Sequence, residues 1–457
     1  MKKEQVVFFT GFPEAANEGV GDYTRNQARE LETLGYEVLV LDNAQWDLTS
    51  ENSLQKQLDA LNPDHKQQII HVQYPGLGER DRQLLDQIES LDLQASQKLV
   101  FTFHQFSLMK GGINPGTVEY PGFCMSYKND TLPVLRKADQ IVFTTDAEQQ
   151  SAVEFAGAHG IDLRQKSSVI PVPSNIPLPA CVPERSSHIG SFARFRAHRR
   201  GLEQLIEMAE DIRGRTLPPD APQRQASRSE YEPGLAAYDE RQQNHTIHLI
   251  GDIVETRGDE QDRGLKFVKN DIVRKIYNLT PAQLDALERI DNKQDLVKFL
   301  QGKSKRLNVE LHLGESAERV GELISEMGYM VTLVKGGVTG KNGSVIPGMQ
   351  MGRVTLATEG EDTPAYYRNG SIVLVEDWGD ALRQINHMER EGTSIRTEKN
   401  PHALTRDEIG GRAEAATANF IPRNVAIQHE QLYESLFAKA QAIDTEIAAQ
   451  AVRGRGR

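Results

Sequence analysis

Short apolar runs alternate with longer amphipathic segments along this chain, and the alternation forms two series with a proline-rich stretch between them. The first series contains five runs with the length and composition of buried strands: Val6–Thr10, Glu37–Leu41, Ile69–Gln73, Leu99–Phe103 and Ile141–Thr145. Between the first two runs, Tyr23–Leu34 has a helical period and is followed by Gly35, the residue type preferred after a helix. Strands that alternate with helices in this way are typical of βαβ units with a parallel sheet.

The second series follows a linker, 170–179, whose four prolines disfavour both a helix and a central strand. It contains six further strand-like runs: His188–Phe192, Ile247–Gly251, Val309–Leu313, Met330–Val334, Val354–Thr358 and Ser371–Val375. The predicted fold class is therefore α/β with two Rossmann-like lobes, an N-terminal lobe over 1–175 and a C-terminal lobe over 176–402. Residues 403–457 are predicted to form a C-terminal helical segment whose basic tail, 453–457, we expect to be disordered.

Two stretches interrupt the second series and are predicted to be insertions. Residues 214–246 are rich in proline, arginine and glutamine, whereas residues 253–307 are charged and have a helical apolar period. Amphipathic surface helices are the simpler interpretation of 253–307, and a surface that binds a protein partner is the alternative.

Charge and cysteine content exclude several classes of function. The 457 residues include 53 Lys plus Arg and 65 Asp plus Glu, a net charge of -12, so we expect no nucleic-acid partner. Two cysteines, Cys124 and Cys181, are too few for a disulfide framework or a cysteine-rich metal site, which favours the cytoplasm. No window approaches the roughly 20 apolar residues of a spanning helix, so no transmembrane segment is predicted.

Candidate site residues in the first series follow strand-like runs, where open α/β sheets bind their ligands. His104 directly follows Leu99–Phe103 and can either bond a sugar hydroxyl or be purely structural. Gly19 and Gly21 precede the first helix, whose N-terminus suits a phosphate, although a flexible loop is the alternative. The glycine spacing departs from the dinucleotide fingerprint, but Asp42 lies about 20 residues after Gly21, so a nicotinamide-dependent oxidoreductase remains a minor alternative.

An arginine cluster and a glycine-rich stretch mark the second series. Four arginines lie close together after its first run: Arg194, Arg196, Arg199 and Arg200. Their guanidinium groups suit a diphosphate, unless the run is simply a solvated surface. Gly343 and Ser344, within 335–352, can present backbone N–H groups to phosphate oxygens, and a plain surface turn is the alternative.

These pieces, in this order, resemble the GT-B retaining glycosyltransferases of family 4. The residues that carry the resemblance are Gly19-Val20-Gly21-Asp22-Tyr23, Phe101-Thr102-Phe103-His104, Val169-Ile170-Pro171-Val172-Pro173, Arg194 with Arg200-Gly201, and Gly343-Ser344 before Gly352. The resemblance covers most of the chain. It implies a GT-B architecture, in which two Rossmann-like lobes face an interlobe crevice.

The resemblance also implies roles for individual residues. His104 contacts the transferred sugar, while Arg194 and Arg200 neutralise the leaving diphosphate; these three are the implied catalytic residues. The implied donor-binding residues are Gly19, Gly21, Arg199, Thr339, Gly343 and Ser344, and the implied acceptor-side residues are Asp22 and Tyr23. No metal and no other cofactor is expected, because the arginines take the place of a divalent cation beside the nucleoside diphosphate sugar.

The chain departs from the family at two donor-site glutamates that family members place eight positions apart. Thr339 and Pro347 occupy those positions here. The predicted function is metal-independent transfer of a hexosyl group, with retention, from a nucleoside diphosphate sugar to an acceptor that is a protein, glycan or lipid. The alternative, which the missing carboxylates favour, is a catalytically silent GT-B subunit that binds or regulates other proteins.

Overall fold

A computed structural model describes residues 3–10, 19–42, 44–50, 52–64, 66–74, 79–106, 118–120, 123–125, 128–195, 205–206, 209–210, 245–253 and 264–454. The chain divides into two compact units, the first made of Met1–Asn175 and Asn419–Arg457 and the second of Ile176–Ala418. The segment 403–457, which we expected to be one separate helical part, is therefore divided between the two units.

The first unit is built on a six-stranded parallel sheet with the spatial order β2-β1-β3-β4-β7-β8. Its strands are β1 (Gln5–Phe9), β2 (Glu37–Leu41), β3 (Gln68–Tyr74), β4 (Gln97–Phe103), β7 (Gln140–Phe143) and β8 (Ser167–Val169), and β5 (Val118–Tyr120) and β6 (Phe123–Met125) form a separate antiparallel pair. Its helices are α1 (Gly19–Thr33), α2 (Ser53–Leu61), α3 (Glu79–Ser90), α4 (Leu132–Lys137) and α5 (Asp146–Ala158).

The second unit contains another six-stranded parallel sheet, in the order β11-β10-β9-β12-β13-β14. Its strands are β9 (Ile189–Phe195), β10 (Ile247–Ile253), β11 (Val309–Leu313), β12 (Tyr329–Thr332), β13 (Val354–Thr358) and β14 (Val373–Val375). Its helices are a π-helical turn at Val268–Val273, α6 (Arg274–Ile276), α7 (Pro281–Glu288), α8 (Lys293–Leu300), α9 (Ala317–Glu326), α10 (Ile346–Gln350), α11 (Ala365–Arg368), α12 (Trp378–Glu391) and α13 (Arg406–Thr417).

The last helix, α14 (Pro422–Gly454), belongs to the first unit. Its residues Val425, Ala426 and Tyr433 are at most 1% exposed and pack with Val6 and Phe8 of β1. The helix thus covers one face of the first sheet, beside α1. It also continues through Arg453 and Gly454, so these two residues of the predicted disordered tail are helical, and 455–457 lie outside the described residues.

Strand order sets where a ligand can approach each sheet. In the first sheet the order reverses between β1 and β3, and in the second it reverses between β9 and β12. Ligands of open α/β sheets bind outside the carboxyl ends of the strands at such a reversal. The residues that follow β1, β3, β9 and β12 are therefore the first to consider as a binding site.

The predicted strands are present, with shifts of one to three residues at some of their ends, and one helix differs more. Helix α1 begins at Gly19 rather than Tyr23, so Gly19 and Gly21 belong to its first turn. Residues 264–300 contain helical segments, as predicted for 253–307, and their aliphatic residues Ile272, Ile276, Leu287 and Leu296 are buried in the core of the second unit. Of 214–246, the structure describes 245–246.

Candidate functional site

His104 lies at the carboxyl edge of the first sheet, one residue after β4 ends. Its backbone N–H donates to the Tyr74 carbonyl over 3.3 Å, which extends the pairing of β3 with β4 by one step. The side chain is 7% exposed, and its Nε2 lies 2.9 Å from Oε1 of Gln73. Tyr23 packs edge-on against the imidazole with 5.3 Å between ring centroids. His104 is therefore held by neighbours on β3 and α1.

The predicted acceptor-side residues occupy different environments on α1. Tyr23 is 1% exposed and its hydroxyl pairs with Nε2 of His429 over 2.9 Å, so the side chain is part of the core and burial raises the pKa of the phenol. Asp22 is partly exposed and accepts from Arg25 over 2.7 Å. Of the two, Asp22 is the one whose side chain reaches solvent.

The first turn of α1 contains the two predicted phosphate-binding glycines. Gly19 begins the helix, and Gly21 and Asp22 follow within the same turn. The N-terminus of a helix carries a partial positive charge that stabilises an anion. This end of α1 lies after β1, at the reversal of strand order in the first sheet.

A buried polar network lies beneath His104, between the sheet and α14. His71 Nδ1 is 2.6 Å from the Tyr433 hydroxyl and its Nε2 is 2.7 Å from Oγ1 of Thr102. His71 and His429 are both completely buried, and their rings lie 5.3 Å apart. Burial lowers the pKa of His71 well below its usual range and that of His429 to about 3, so both are neutral near pH 7.

The arginine cluster is only partly within the described residues. Arg194 is the penultimate residue of β9, and its backbone pairs with Asp252 of β10. Arg199 and Arg200 lie outside the described residues. β9 pairs with β10 along its whole length, whereas its pairing with β12 covers Tyr329↔Ile189 and Met330↔Gly190. The carboxyl end of β9, with Arg194, is thus at the reversal of strand order.

The glycine-rich stretch after β12 folds into a compact loop. Thr339 Oγ1 accepts from the N–H of Lys341 over 3.3 Å, and the Thr339 N–H donates to Oδ1 of Asn342 over 2.5 Å. The N–H of Gly343 donates to the Lys341 carbonyl over 2.9 Å within the loop. Ser344 is 4% exposed and leads into α10.

Pro347 and Thr339 stand at the two positions where the family that the sequence resembles has donor-site glutamates, and both pack or bond within their own loop and helix. Pro347 lies in the first turn of α10 and is buried, while Thr339 bonds to Asn342. Glu359 follows β13: its backbone abuts Gly337, and its carboxylate pairs with Arg368 over 2.8 Å.

Sequence reasoning missed several polar residues at the two carboxyl edges. Gln73 is 1% exposed near the end of β3, and Asp252 of β10 pairs with Lys293 of α8 over 2.9 Å. Gln73 had a signal, because a polar residue that ends an apolar strand faces the ligand-binding edge. The Asp252–Lys293 pair joins residues 41 positions apart, and no local pattern reveals that.

The described residues show neither a metal centre nor a membrane-spanning helix. Within the described ranges, no group of three or more His, Cys, Asp or Glu residues is arranged to hold a metal ion. No helix in that part of the chain combines the length and apolarity needed to cross a membrane.

Comparisons with known proteins support the fold. No family model matches the chain, and no curated protein matches it by sequence. Among solved structures it is similar to an alpha-glucosyltransferase in complex with UDP and a 13-mer DNA containing an HMU base, at 10% identity over 95% of this chain and 99% of that one, with a TM-score of 0.50. It is also similar to AviGT4, a glycosyltransferase involved in avilamycin A biosynthesis (12% identity, 96% and 99% covered, TM-score 0.46).

TarM is a further similar structure, at 13% identity over 82% of this chain, with a TM-score of 0.43; this chain spans 55% of the length of TarM. The likeness to the alpha-glucosyltransferase shows the fold and confirms the predicted class, two Rossmann-like lobes of the GT-B kind.

Proposed function

We propose that this chain is a glycosyltransferase that moves a hexosyl group from a nucleoside diphosphate sugar to an acceptor hydroxyl with retention at the anomeric carbon. The observation that carries the proposal is the GT-B fold with polar residues at the carboxyl edges of both sheets: His104 after β4, and Arg194 and the glycine-rich loop at the end of β9 and after β12. Fold alone fits many activities, so the argument depends on these residues.

In the proposed reaction the bond between the anomeric carbon and the β-phosphate oxygen breaks, and a bond from that carbon to the acceptor oxygen forms on the same face. The acceptor proton leaves with the diphosphate. Negative charge therefore grows on the departing phosphate, where Arg194 and Arg200, with Arg199 as the nearby substitute, supply fixed positive charge. The N-terminus of α1, with Gly19 and Gly21, adds a partial positive charge.

The remaining proposed roles are binding and positioning. His104 contacts the sugar, the loop of Thr339, Gly343 and Ser344 shapes the donor side, and Asp22 faces the acceptor. The arginines make a divalent cation unnecessary, so we propose that the reaction needs neither a metal nor another cofactor. We place the enzyme in the cytoplasm, in keeping with Cys181, which is a free and exposed thiol.

Release of nucleoside diphosphate tests the proposal directly. The full chain is incubated with a panel of UDP, GDP, ADP and TDP sugars, UDP first because a structural neighbour is bound to UDP. We expect release with at least one donor. Arg200→Ala is expected to reduce kcat by about a hundredfold, because it removes charge stabilisation of the leaving group. The matched control is Arg164→Ala, which removes an exposed arginine paired with Asp162.

Two further readouts separate the parts of the proposal. NMR of the anomeric proton of the product gives its configuration, and inversion would contradict retention. EDTA is expected to leave the rate unchanged, and loss of activity that Mn²⁺ restores would contradict the electrostatic role of the arginines.

A second candidate function rests on Thr339 and Pro347, which stand where the related enzymes have donor-site carboxylates. In this case the chain is a GT-B binding or regulatory subunit with no transferase activity of its own. No release with any donor, together with thermal stabilisation by a protein partner alone, would favour this candidate.

A further inference from the structure

Gln73 is a buried glutamine at the penultimate position of β3, and it contacts the candidate sugar-binding histidine. Its side chain is 1% exposed, within a strand in which every residue is buried. A buried amide costs about 1–3 kcal/mol for each hydrogen bond that it fails to make. The position therefore stabilises the fold only if the amide is well satisfied.

Three side chains surround this amide. Its Oε1 lies 2.9 Å from Nε2 of His104, while its Nε2 donates to Oε1 of Gln27 over 3.2 Å and lies 3.3 Å from Nε2 of His71. Gln27 comes from α1 and His71 from β3 itself. With Gln27 presenting its oxygen, the nitrogen of Gln73 faces Gln27 and its oxygen faces His104.

This orientation indicates which ring nitrogen of His104 carries a proton. A carboxamide oxygen can only accept, so Nε2 of His104 carries the proton of the bond between them. In the neutral ring, Nδ1 then carries the lone pair and can only accept. Tyr23 also packs edge-on against the ring, and the bond from the His104 backbone N–H to the Tyr74 carbonyl fixes the strand end.

We propose that Gln73 is a positioning residue for His104: it fixes the imidazole ring at the sheet edge and holds a proton on Nε2. In the glycosyl transfer proposed above, on which the catalytic part of this inference rests, His104 then meets the sugar with its ring held in this orientation. Gln27 and His71 hold Gln73 in turn, so the geometry is built into the core.

The tautomer can be measured without any substrate. The full chain is labelled with ¹⁵N-histidine, and two-bond ¹H–¹⁵N correlation NMR near pH 7 reports which ring nitrogen carries the proton; His104→Gln assigns the signals. We expect Nε2 of His104 to be the protonated nitrogen in the wild type. An unprotonated Nε2, or an equal mixture of tautomers, would overturn the proposal.

Two variants of Gln73 test whether this residue holds the proton on Nε2 of His104. Gln73→Leu removes the acceptor and is expected to give a mixture of tautomers. Gln73→Glu keeps an acceptor oxygen, so we expect it to preserve the proton on Nε2 and to raise the pKa of His104. This variant tests the proposal if Gln73→Leu does not fold. His104 signals that are the same in the wild type and in both variants would contradict the proposal.

The matched control is Gln97→Leu. Gln97 is a 4% exposed glutamine of β4 that donates to Gln68 over 2.9 Å at the opposite edge of the same sheet. This variant is expected to leave the His104 signals unchanged, because it perturbs a buried amide without touching the ring.

Kinetics add the functional readout. With an active donor, Gln73→Leu is expected to lower kcat/KM by about ten- to a hundredfold through misplacement of His104, while Gln97→Leu stays within about twofold of the wild type. An unchanged kcat/KM in Gln73→Leu would overturn the positioning role. No transfer by the wild type with any donor would count against the proposed function, whereas the NMR result decides the tautomer independently.

Discussion

Gly336 and Gly337 follow β12 with φ angles of +89° and +87°, and only the second is tightly packed against a neighbouring loop. A Cβ on Gly337 would lie 2.0 Å from the backbone nitrogen of Gly360, whereas a Cβ on Gly336 would have nothing within 4 Å. Both positions favour glycine because of φ, but at Gly337 the missing side chain also lets the loops after β12 and β13 touch. This contact shapes the proposed donor loop.

The two glycines provide a matched pair of variants. We expect Gly336→Ala to cost about 1–2 kcal/mol, the penalty of a left-handed conformation, and Gly337→Ala to cost a further 1–3 kcal/mol or so from overpacking against backbone. The chain has two tryptophans, Trp46 in the first unit and Trp378 in the second. Urea unfolding followed by Trp378 fluorescence in a Trp46→Phe background therefore reports the second unit. Equal losses for the two variants would contradict the argument.

At the residue scale, the sequence indicates the position of His104 more fully than the contacts of Tyr23. His104 directly follows an apolar strand, so its place at the carboxyl edge depends on local pattern alone. Tyr23 is also near a sheet edge, but its hydroxyl pairs with His429, 406 positions away. A contact of that sequence separation leaves no signal in the residues around Tyr23, so its place in the core could not be predicted from the sequence.

Helices α7 and α8 show how an apparent insertion becomes part of a core. They lie in 253–307, which interrupts the second series of strands, and each contributes a fully buried leucine, Leu287 and Leu296, to the main core of the second unit. The helical period was readable from the sequence. The neighbours of its apolar face were not, because the period of one helix does not indicate which other elements join the same core.

The burial of Leu287 gives a prediction for this segment. Leu287→Ala is expected to cost about 2–5 kcal/mol, the usual range for a buried leucine. Leu284, on the same helix but only partly buried, is the matched control, and its alanine variant is expected to cost roughly half of that or less. Unfolding is again followed through Trp378 in the Trp46→Phe background. If both variants lose less than about 1 kcal/mol, the segment is a removable surface insertion.

At the scale of the whole molecule, the chain returns to its first unit at its C-terminus. The apolar residues of α14 were recognisable as one face of a helix, but that face packs on β1, more than 400 residues earlier. The period of apolar residues in the sequence shows that a helix has an apolar face. It does not show which part of the sheet that face packs against. The division of 403–457 between two units follows from this packing.

The histidines beneath α14 make the stability of the first unit depend on pH. His71 and His429 are neutral and completely buried in the folded chain, and the pKa of His429 is lowered to about 3. In the unfolded chain both bind protons below about pH 6.5. Below about pH 6.5 the unfolded state binds more protons at both histidines, so the free energy of unfolding falls as the pH falls, by at most about 1.4 kcal/mol per pH unit for each histidine.

Urea unfolding between about pH 6.5 and pH 5 measures this slope, with Trp46 fluorescence in a Trp378→Phe background as the probe of the first unit. His429→Gln is expected to remove about 1 kcal/mol per pH unit from the slope over this range, because one buried histidine no longer titrates. Tyr23→Phe is the control: it deletes the hydroxyl that pairs with His429, lowers stability by about 1 kcal/mol and leaves the slope intact, since the histidine stays buried. A slope that is the same in His429→Gln and the wild type would show that His429 is exposed to solvent in the folded protein. In that case α14 would not cover this face of the sheet.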